Sequence, residues 1–183
     1  ANLGFQRVYT LLNAIGGVHC DRLALPDDWT PEIQSLSPDA MRSHDTGRLP
    51  REFDMIAFSI SFEPDYLNVA AMLKYFGIPL ERAARDSSYP LILAGGSAIF
   101  INPEPLGDIV DAFCVGEAEE MAENFFRLYL DNNWSDPRTL LPQAARLPGI
   151  YIPQFYRPRY EGDAQAGFDL DPGVPARVER HWV

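Results

Sequence analysis

The chain has 183 residues and a net charge of −11 at pH 7. That length is enough for one domain with a real core, or for one domain with an appendage. The acidic charge argues against bulk, non-specific binding of nucleic acid, because phosphate contacts need a basic surface. No apolar run approaches the length of a membrane span, and the N-terminus lacks the layout of a signal peptide, so we expect a cytoplasmic protein without a membrane partner.

The cysteine and histidine content points away from a metal site. The two cysteines, Cys20 and Cys114, fall on apolar segments predicted as strands, and we expect reduced core thiols rather than a disulfide. No closely spaced Cys/His set occurs, so the sequence predicts no metal ligands.

The N-terminal third is predicted to hold one helix and one strand. Phe5, Val8, Leu12 and Ile15 form one apolar face of a helix over residues 2–15, which Gly16-Gly17 would end. Residues 18–25 read as a strand, and residues 27–49 as an irregular connection in which His44 is solvated. A parallel α/β fold normally opens on a strand, so we expect the chain to start just inside a strand–helix unit.

A second strand–helix unit follows. Residues 53–61 form the strongest predicted strand, and Pro64 and Asp65 suit the first turn of a helix whose core side would carry Tyr66, Ala70 and Leu73. Gly77 and Pro79 would stop that helix.

The stretch over residues 89–120 organises the rest of the prediction. Two short apolar runs, Leu91–Ala94 and Ala112–Val115, each end in glycine, which is typical of strands buried on both faces of a parallel sheet. Ligands of open α/β sheets bind at the carboxyl ends of the strands. We therefore expect Gly95, Gly96 and Gly116 to share one ligand-facing edge with the turn that carries Ser61, Phe62 and Glu63. The alternative is that the glycines only make tight turns and that Glu63 only complements the start of its helix.

The segments after these strands are predicted to be a loop over residues 95–105 with a short helix at 106–110, and then a longer helix after Gly116. The buried stripe of the longer helix would comprise Ala118, Met121, Ala122, Phe125 and Tyr129. Its first turn carries Glu117, Glu119 and Glu120, where carboxylates suit the helix dipole but would repel a phosphate. No phosphate-binding loop or dinucleotide fingerprint occurs.

The chain changes character from Asn132, and we divide it into residues 1–147 and an arm over residues 148–183. Tyrosines and prolines alternate in the first part of the arm, which predicts an exposed hairpin or extended segment packing back on the domain. Arginines and aromatic residues there could stack on single-stranded nucleic acid. The acidic total favours the other interpretation, a linker that anchors a following domain.

Several motifs together resemble one protein family. They are Asn2-Leu3-Gly4-Phe5-Gln6, Ala94-Gly95-Gly96, Asn102-Pro103-Glu104-Pro105-Leu106, Asp111-Ala112-Phe113, Val115-Gly116-Glu117-Ala118-Glu119-Glu120 and Pro148-Gly149-Ile150-Tyr151-Ile152-Pro153. On these motifs the chain resembles the N-terminal, cobalamin-binding-like domain of an uncharacterised family of bacterial radical S-adenosylmethionine (SAM) proteins.

The resemblance implies a Rossmann-like or flavodoxin-like domain, an open parallel sheet with helices on both faces, ahead of a radical SAM core. That core would bind a 4Fe-4S cluster and SAM through three cysteines. No Cys-x-x-x-Cys-x-x-Cys occurs in this chain, so no independent catalysis is expected. In the family a strand precedes the first helix. The absence of that strand would leave a gap in the sheet. Either another segment fills the gap, or the flanking strands close up.

The resemblance also implies a cofactor site. Cobalamin would contact Gly95, Gly96, Ser97, Gly116 and Glu117 along its nucleotide tail and corrin edge, with Ser61, Phe62 and Glu63 beneath the ring. The usual Asp-x-His-x-x-Gly cobalt-ligand loop is missing. The alternative is a non-catalytic docking module that recruits a substrate, RNA or protein, or a partner such as its own radical SAM core.

Overall fold

The computed structural model describes residues 3–25, 29, 41–132 and 136–182. Its helices are α1 (Leu3–Ala14), α2 (Asp65–Tyr75), α3 (Ser97–Ile101), α4 (Ala118–Asp131) and α5 (Leu141–Ala144). Its strands are β1 (Met55–Ser59), β2 (Leu91–Gly95), β3 (Ala112–Cys114), β4 (Ile150–Tyr151), β5 (Tyr156–Glu161) and β6 (Ala164–Leu170). Short 3-10 turns cover Pro50–Glu52, Arg82–Ala84, Glu104–Leu106, Pro137–Leu140 and Pro153–Phe155.

The main sheet has the strand order β1-β2-β3-β4, and its first three strands are parallel. The predicted α/β class is confirmed, and so is the prediction that the two glycine-terminated strands lie side by side and point the same way. β4 is antiparallel to β3, so the sheet is mixed rather than fully parallel. β5 and β6 form a separate antiparallel hairpin.

β2 is the central strand, and its composition explains why. Leu91, Ile92, Leu93 and Ala94 are all buried, since both faces of this strand are covered. Continuous apolar runs of this kind are typical of parallel strands covered on both sides. β1 is more exposed, and among the described residues it pairs only with β2.

The predicted strand over residues 18–25 is wrong, although the segment is fully described. Side chains bind its main chain in place of a neighbouring strand: Cys20 N–H donates to Asn13 Oδ1 at 3.0 Å, and Arg22 N–H donates to Asp45 Oδ2 at 2.7 Å. Residues 27, 28 and 30–40 of the predicted irregular connection lie outside the described residues. In the described part, His44 Nε2 lies 3.4 Å from the N–H of Ala24.

The predictions after β2 also need correction. Residues 97–101, expected in a loop, form α3, because Ala98 N–H donates to Ile60 O at 3.2 Å and so joins this turn to the end of β1. The helix expected at 106–110 is a 3-10 turn over Glu104–Leu106, followed by a turn that ends with Val110 N–H bonded to Leu106 O at 2.9 Å.

α1 and α4 lie side by side and point the same way. Arg7, near the start of α1, faces Glu119 in the first turn of α4 at 3.6 Å. Gly17, just after α1, packs against Leu130 near the end of α4. Their contact encloses a small apolar cluster of Leu12, Ile15 and Ala122, separate from the main core.

The predicted faces of α2 and α4 are right only in part. In α2 the buried residues are Val69, Met72 and Leu73, whereas Tyr66 and Ala70 are half-buried. In α4 Met121, Ala122 and Phe125 are buried as predicted, and Ala118 and Tyr129 are half-buried.

The C-terminal arm begins inside the core. Tyr151, Phe155 and Tyr156 are buried, whereas β5 and β6 form the expected exposed hairpin. Residues 133–135, beside the predicted change of character at Asn132, lie outside the described residues. The division of the chain at residue 147 stays a prediction.

Within the described part of the chain, no helix combines the length and the apolar composition needed to cross a membrane.

A buried ion pair joins β2 and β3 at their amino ends. Arg85 Nη2 lies 3.2 Å from Asp111 Oδ2, and the two side chains are 0% and 1% exposed. Asp111 Oδ2 also accepts the N–H of Ile92 at 2.7 Å, while Asp111 N–H donates to Ile92 O at 2.8 Å. Burial lowers the pKa of Arg85, and the charge of Asp111 opposes that effect. Asp111 therefore both aligns two strands and balances a buried cation.

We expect Asp111→Ala to lower the free energy of unfolding by about 3–5 kcal/mol, because it leaves a guanidinium buried without its counter-charge. Urea denaturation followed by circular dichroism measures the change. Glu123→Ala is the control, since it breaks an exposed pair with Arg127 at 2.7 Å and should cost about 0.5 kcal/mol or less. Equal losses in the two variants would contradict the assigned role of Asp111.

Candidate functional site

The carboxyl ends of β1, β2 and β3 lie in register at one edge of the sheet. Ser59 pairs with Gly95, and Gly95 pairs with Cys114. The ends of these strands and the residues that directly follow them carry all the predicted site residues: Ser61, Phe62, Glu63, Gly95, Gly96, Ser97, Gly116 and Glu117. The topology therefore brings together, at one edge, residues that are far apart in sequence.

Gly96 allows two main-chain turns to touch. It has a φ of +113°, and a Cβ atom built there would lie 2.3 Å from the carbonyl oxygen of Ile60. Around this contact, Ile60 N–H donates to Gly95 O at 2.8 Å and Ser97 Oγ donates to Ser61 O at 2.9 Å. The open side of Gly96 is therefore occupied by protein rather than by a ligand.

Gly116 makes the same kind of contact with the C-terminal segment. Its φ is +139°, and an added Cβ atom would lie 2.2 Å from the carbonyl oxygen of His181. His181 N–H donates to Val115 O at 3.0 Å, and Glu117 N–H donates to His181 O at 2.9 Å, which forms a single parallel bridge at the end of β3. The segment around His181 therefore covers Gly116 and the main chain of Glu117.

The acidic first turn of α4 is used for packing between elements. Glu119 lies 3.6 Å from Arg7 of α1, and Glu120 lies 3.2 Å from Nε2 of His181. These two carboxylates fix the neighbouring helix and the C-terminal segment to the start of α4, which also suits the helix dipole.

The Asn-Pro-Glu-Pro loop has an equally structural role. Asn102 Oδ1 accepts the N–H of Glu104 at 3.2 Å, and Tyr151 donates its hydroxyl to Glu104 Oε1 at 2.6 Å. Burial, together with the carboxylate of Glu104, raises the pKa of Tyr151. The motif therefore ties the loop after α3 to β4.

The edge carries more exposed apolar side chains than any other part of the described surface. Phe62 is 69% exposed and Ile101, at the end of α3, is 70% exposed. Of nine large exposed apolar residues among those described, five belong to turns or helix ends at this edge: Leu3, Phe62, Leu67, Ile101 and Trp182. Sequence reasoning named only Phe62. Nothing in the local sequence marks the other four as exposed, because only the fold places them at this edge.

A cavity of about 570 Å³ runs from this edge along one side of the sheet. One end reaches Ser61, Gly95 and Ser97. Its walls are mainly apolar and come from β1, residues 17–23 and the facing sides of two helices, including Phe5, Val8 and Leu12 of α1 and Phe125, Phe126 and Tyr129 of α4. β1 and residues 17–23 therefore lie on opposite sides of the cavity and do not pair with each other.

The two cysteines, Cys20 and Cys114, are free, and both line the cavity. Burial raises the pKa of each thiol to about 11, so both stay protonated near neutral pH. Among the described side chains, no three His, Cys, Asp or Glu residues converge in a way that could hold a metal ion.

The fold and this edge define an α/β domain with an exposed apolar edge and a neighbouring cavity. The chain belongs to the family described as radical SAM proteins, N-terminal, which its sequence matches over residues 4–153. It is therefore an N-terminal, accessory domain of a radical SAM protein. Comparison with curated proteins and with solved structures finds no match.

We expect Gly96→Ala to destabilise the protein by about 2–5 kcal/mol, since it combines backbone strain with a main-chain clash. Thermal and urea unfolding measure the loss. Gly16→Ala is the matched control, because Gly16 has no atom within 4 Å of an added Cβ and should change stability by about 0.5 kcal/mol or less. A Gly96→Ala protein as stable as the control would show that Gly96 is not needed for this contact.

Proposed function

We propose that this domain is a non-catalytic docking module whose carboxyl edge packs against the radical SAM core of the same protein. The observation that carries the proposal is the character of the edge. Its two glycines with positive φ, Gly96 and Gly116, lie against protein main chain, while large apolar side chains around them face outward.

Exposed apolar patches of this kind are typical of surfaces that bind another protein. Phe62 follows β1, Ile101 follows β2 and Trp182 lies beside the bridge at β3, so the exposed residues span three neighbouring strand ends. Such an arrangement suits a broad contact better than a narrow pocket.

The radical SAM core is the occupant that these observations favour. The family is defined as the N-terminal part of radical SAM proteins. The C-terminal segment also runs to this edge, where Glu117 and Val115 bind the main chain of His181. A core domain attached after that segment would start beside the exposed residues, so docking there would need little extra chain.

In the whole protein, a domain docked in this way would help to recruit the substrate. A docked accessory domain would form one wall of the approach to the core, and the RNA or protein substrate would be reached through the intact protein. The acidic charge of this chain makes it a poor contributor to RNA binding. The cytoplasmic location stays a prediction from the sequence.

Hydrogen–deuterium exchange of the intact protein tests the docking. We expect the amides of residues 60–63 and 98–102 to exchange at least about tenfold faster in a Phe62→Ser/Ile101→Ser variant than in the wild type, because apolar contact is lost. Leu80→Ser is the control: Leu80 is 40% exposed and follows α2 at the opposite edge of the sheet, so its substitution should leave these amides unchanged. Exchange at the rate of a free loop in the wild-type protein would rule out docking at this edge.

Cofactor binding is the second candidate, and the cavity favours it. Its volume of about 570 Å³ is within the range of small-molecule sites, about 300–1,000 Å³, and its walls are mainly apolar, as is typical of such sites. Cobalamin is larger than the ligands of most such sites. Two of the contacts predicted for it, Gly96 and Gly116, border the cavity, but each lies against main chain, of Ile60 and of His181, and Nε2 of His181 faces Glu120. The edge in this form therefore does not fit cobalamin held on the sides of those glycines that main chain covers, although Ser61, Gly95 and Ser97 border the same cavity.

Spectroscopic titration of the intact protein with hydroxocobalamin tests the second candidate. If the docking proposal is right and the edge is closed, no saturable shift of the visible bands is expected. A saturable shift that Gly95→Val abolishes would establish cobalamin binding and overturn the assignment of the edge as closed. Gly16→Val serves as the control, because Gly16 lies just after α1, has no atom within 4 Å of an added Cβ and does not need a positive φ.

A further inference from the structure

A second pocket, of about 360 Å³, lies at the amino ends of the central strands, opposite the carboxyl edge. Arg82, Arg85 and Arg138 line it, and Asp111 is the only carboxylate among the described residues of its lining. Three 3-10 turns converge there, since Arg82, Arg138 and Gln154 each lie in a different one. The lining therefore has an excess of positive charge, although the chain as a whole has a net charge of −11.

Main-chain carbonyl oxygens hold the three guanidinium groups of this pocket in place. The accepting residues include Pro79 and Leu80 for Arg85, Tyr89 and Pro90 for Arg138, and Gly107 for Arg82. A neutral carbonyl group fixes the orientation of a guanidinium but does not remove its charge. The arginine side chains are therefore held in a fixed arrangement before any ligand binds, which lowers the entropic cost of binding.

Carboxylates balance only part of this positive charge. Asp111 lies 3.2 Å from Arg85, and Asp136 lies 3.5 Å from Arg138. Arg82 makes no ion pair with a described residue, and its described hydrogen bonds all come from Nη1. Burial lowers the pKa of Arg85, Asp111 opposes that effect, and the positive charges of Arg138 and Arg82 lower it further. The three guanidinium groups thus repel one another, and an anion between them would relieve that repulsion.

The same residues carry buried polar atoms without hydrogen-bond partners. In the described part of the chain four buried side-chain atoms lack a partner, and three of them are Nε of Arg85, Nε of Arg138 and Oδ1 of Asp111. The two Nε atoms are donors and the carboxylate oxygen is an acceptor. Unsatisfied buried atoms mark positions where a water molecule or an ion is expected. A water molecule would satisfy the hydrogen bonds but would leave the excess of positive charge, so an anion suits the pocket better.

We infer that this pocket binds a small oxyanion that carries a hydroxyl proton, of which inorganic phosphate is the simplest. Its charged oxygens would accept hydrogen bonds from Arg82 and Arg138, and its hydroxyl group would face Oδ1 of Asp111. Near neutral pH inorganic phosphate always carries at least one proton, whereas sulfate carries none. The chemistry of the pocket therefore predicts a preference for phosphate over sulfate.

Isothermal titration calorimetry of the intact, purified protein with inorganic phosphate, in a chloride buffer at neutral pH, tests the inference. We expect one saturable site with a Kd of about 1 mM or tighter. Sulfate at the same ionic strength should bind at least about tenfold more weakly, because it has no proton to donate to Asp111. The absence of saturable heat with phosphate at two temperatures, or equal affinity for the two anions, would overturn the inference.

A Gln154→Glu variant tests the position of the site. Gln154 is half-buried in the lining, and its side chain makes no hydrogen bond to a described residue, so the substitution adds a negative charge beside the arginines without removing a contact. We expect the affinity for phosphate to fall at least about tenfold, since like charges repel strongly in a partly buried site.

Gln165→Glu is the matched control, because it adds the same charge on the exposed hairpin, where solvent screens it. Its affinity should stay within about twofold of the wild type. Equal affinities in the two variants, with both folded by circular dichroism, would show that phosphate does not bind in this pocket. Such a result leaves the docking proposal standing, because that proposal depends on Phe62 and Ile101 at the opposite edge.

Discussion

The alignment of β2 with β3 depends on one buried carboxylate. Asp111 accepts the main-chain N–H of Ile92 and faces the guanidinium of Arg85, which in turn donates to the carbonyl oxygens of Pro79 and Leu80 at 3.0 Å. An ion pair of this kind can exist in the core only when its partners are held in place, because unpaired buried charge is costly. The register set at the amino ends then decides which residues meet at the carboxyl edge.

At that edge, main-chain contacts replace the expected ligand contacts. Gly96 lies on Ile60 and Gly116 lies on His181, and each contact requires a residue without a Cβ atom. The motifs that drew attention in the sequence have the same character. Glu104 holds Tyr151, Glu119 faces Arg7 and Glu120 faces His181. These three carboxylates fasten a loop, a helix and the C-terminal segment to their neighbours. Motifs that resemble parts of a binding site in the sequence can thus serve to hold the elements of the domain together.

The two surfaces left for function are of different kinds. The exposed apolar edge is suited to contact with a folded partner, and the family identifies the radical SAM core as the neighbour. The cavity has mainly apolar walls, and its volume of about 570 Å³ is within the range of small-molecule sites, about 300–1,000 Å³.

The sequence by itself determined the elements whose signals are local. The glycine-terminated apolar runs predicted β2, β3 and their parallel pairing, and the apolar periods predicted α1 and the buried face of α4. Only the tertiary structure decided what the edge glycines touch, that Arg85 meets Asp111 across 26 residues, and that β4 joins the main sheet. Each of these depends on contacts between distant segments, which no local pattern encodes. Residues 18–25 illustrate the same limit, since a strand needs a partner as well as a suitable sequence.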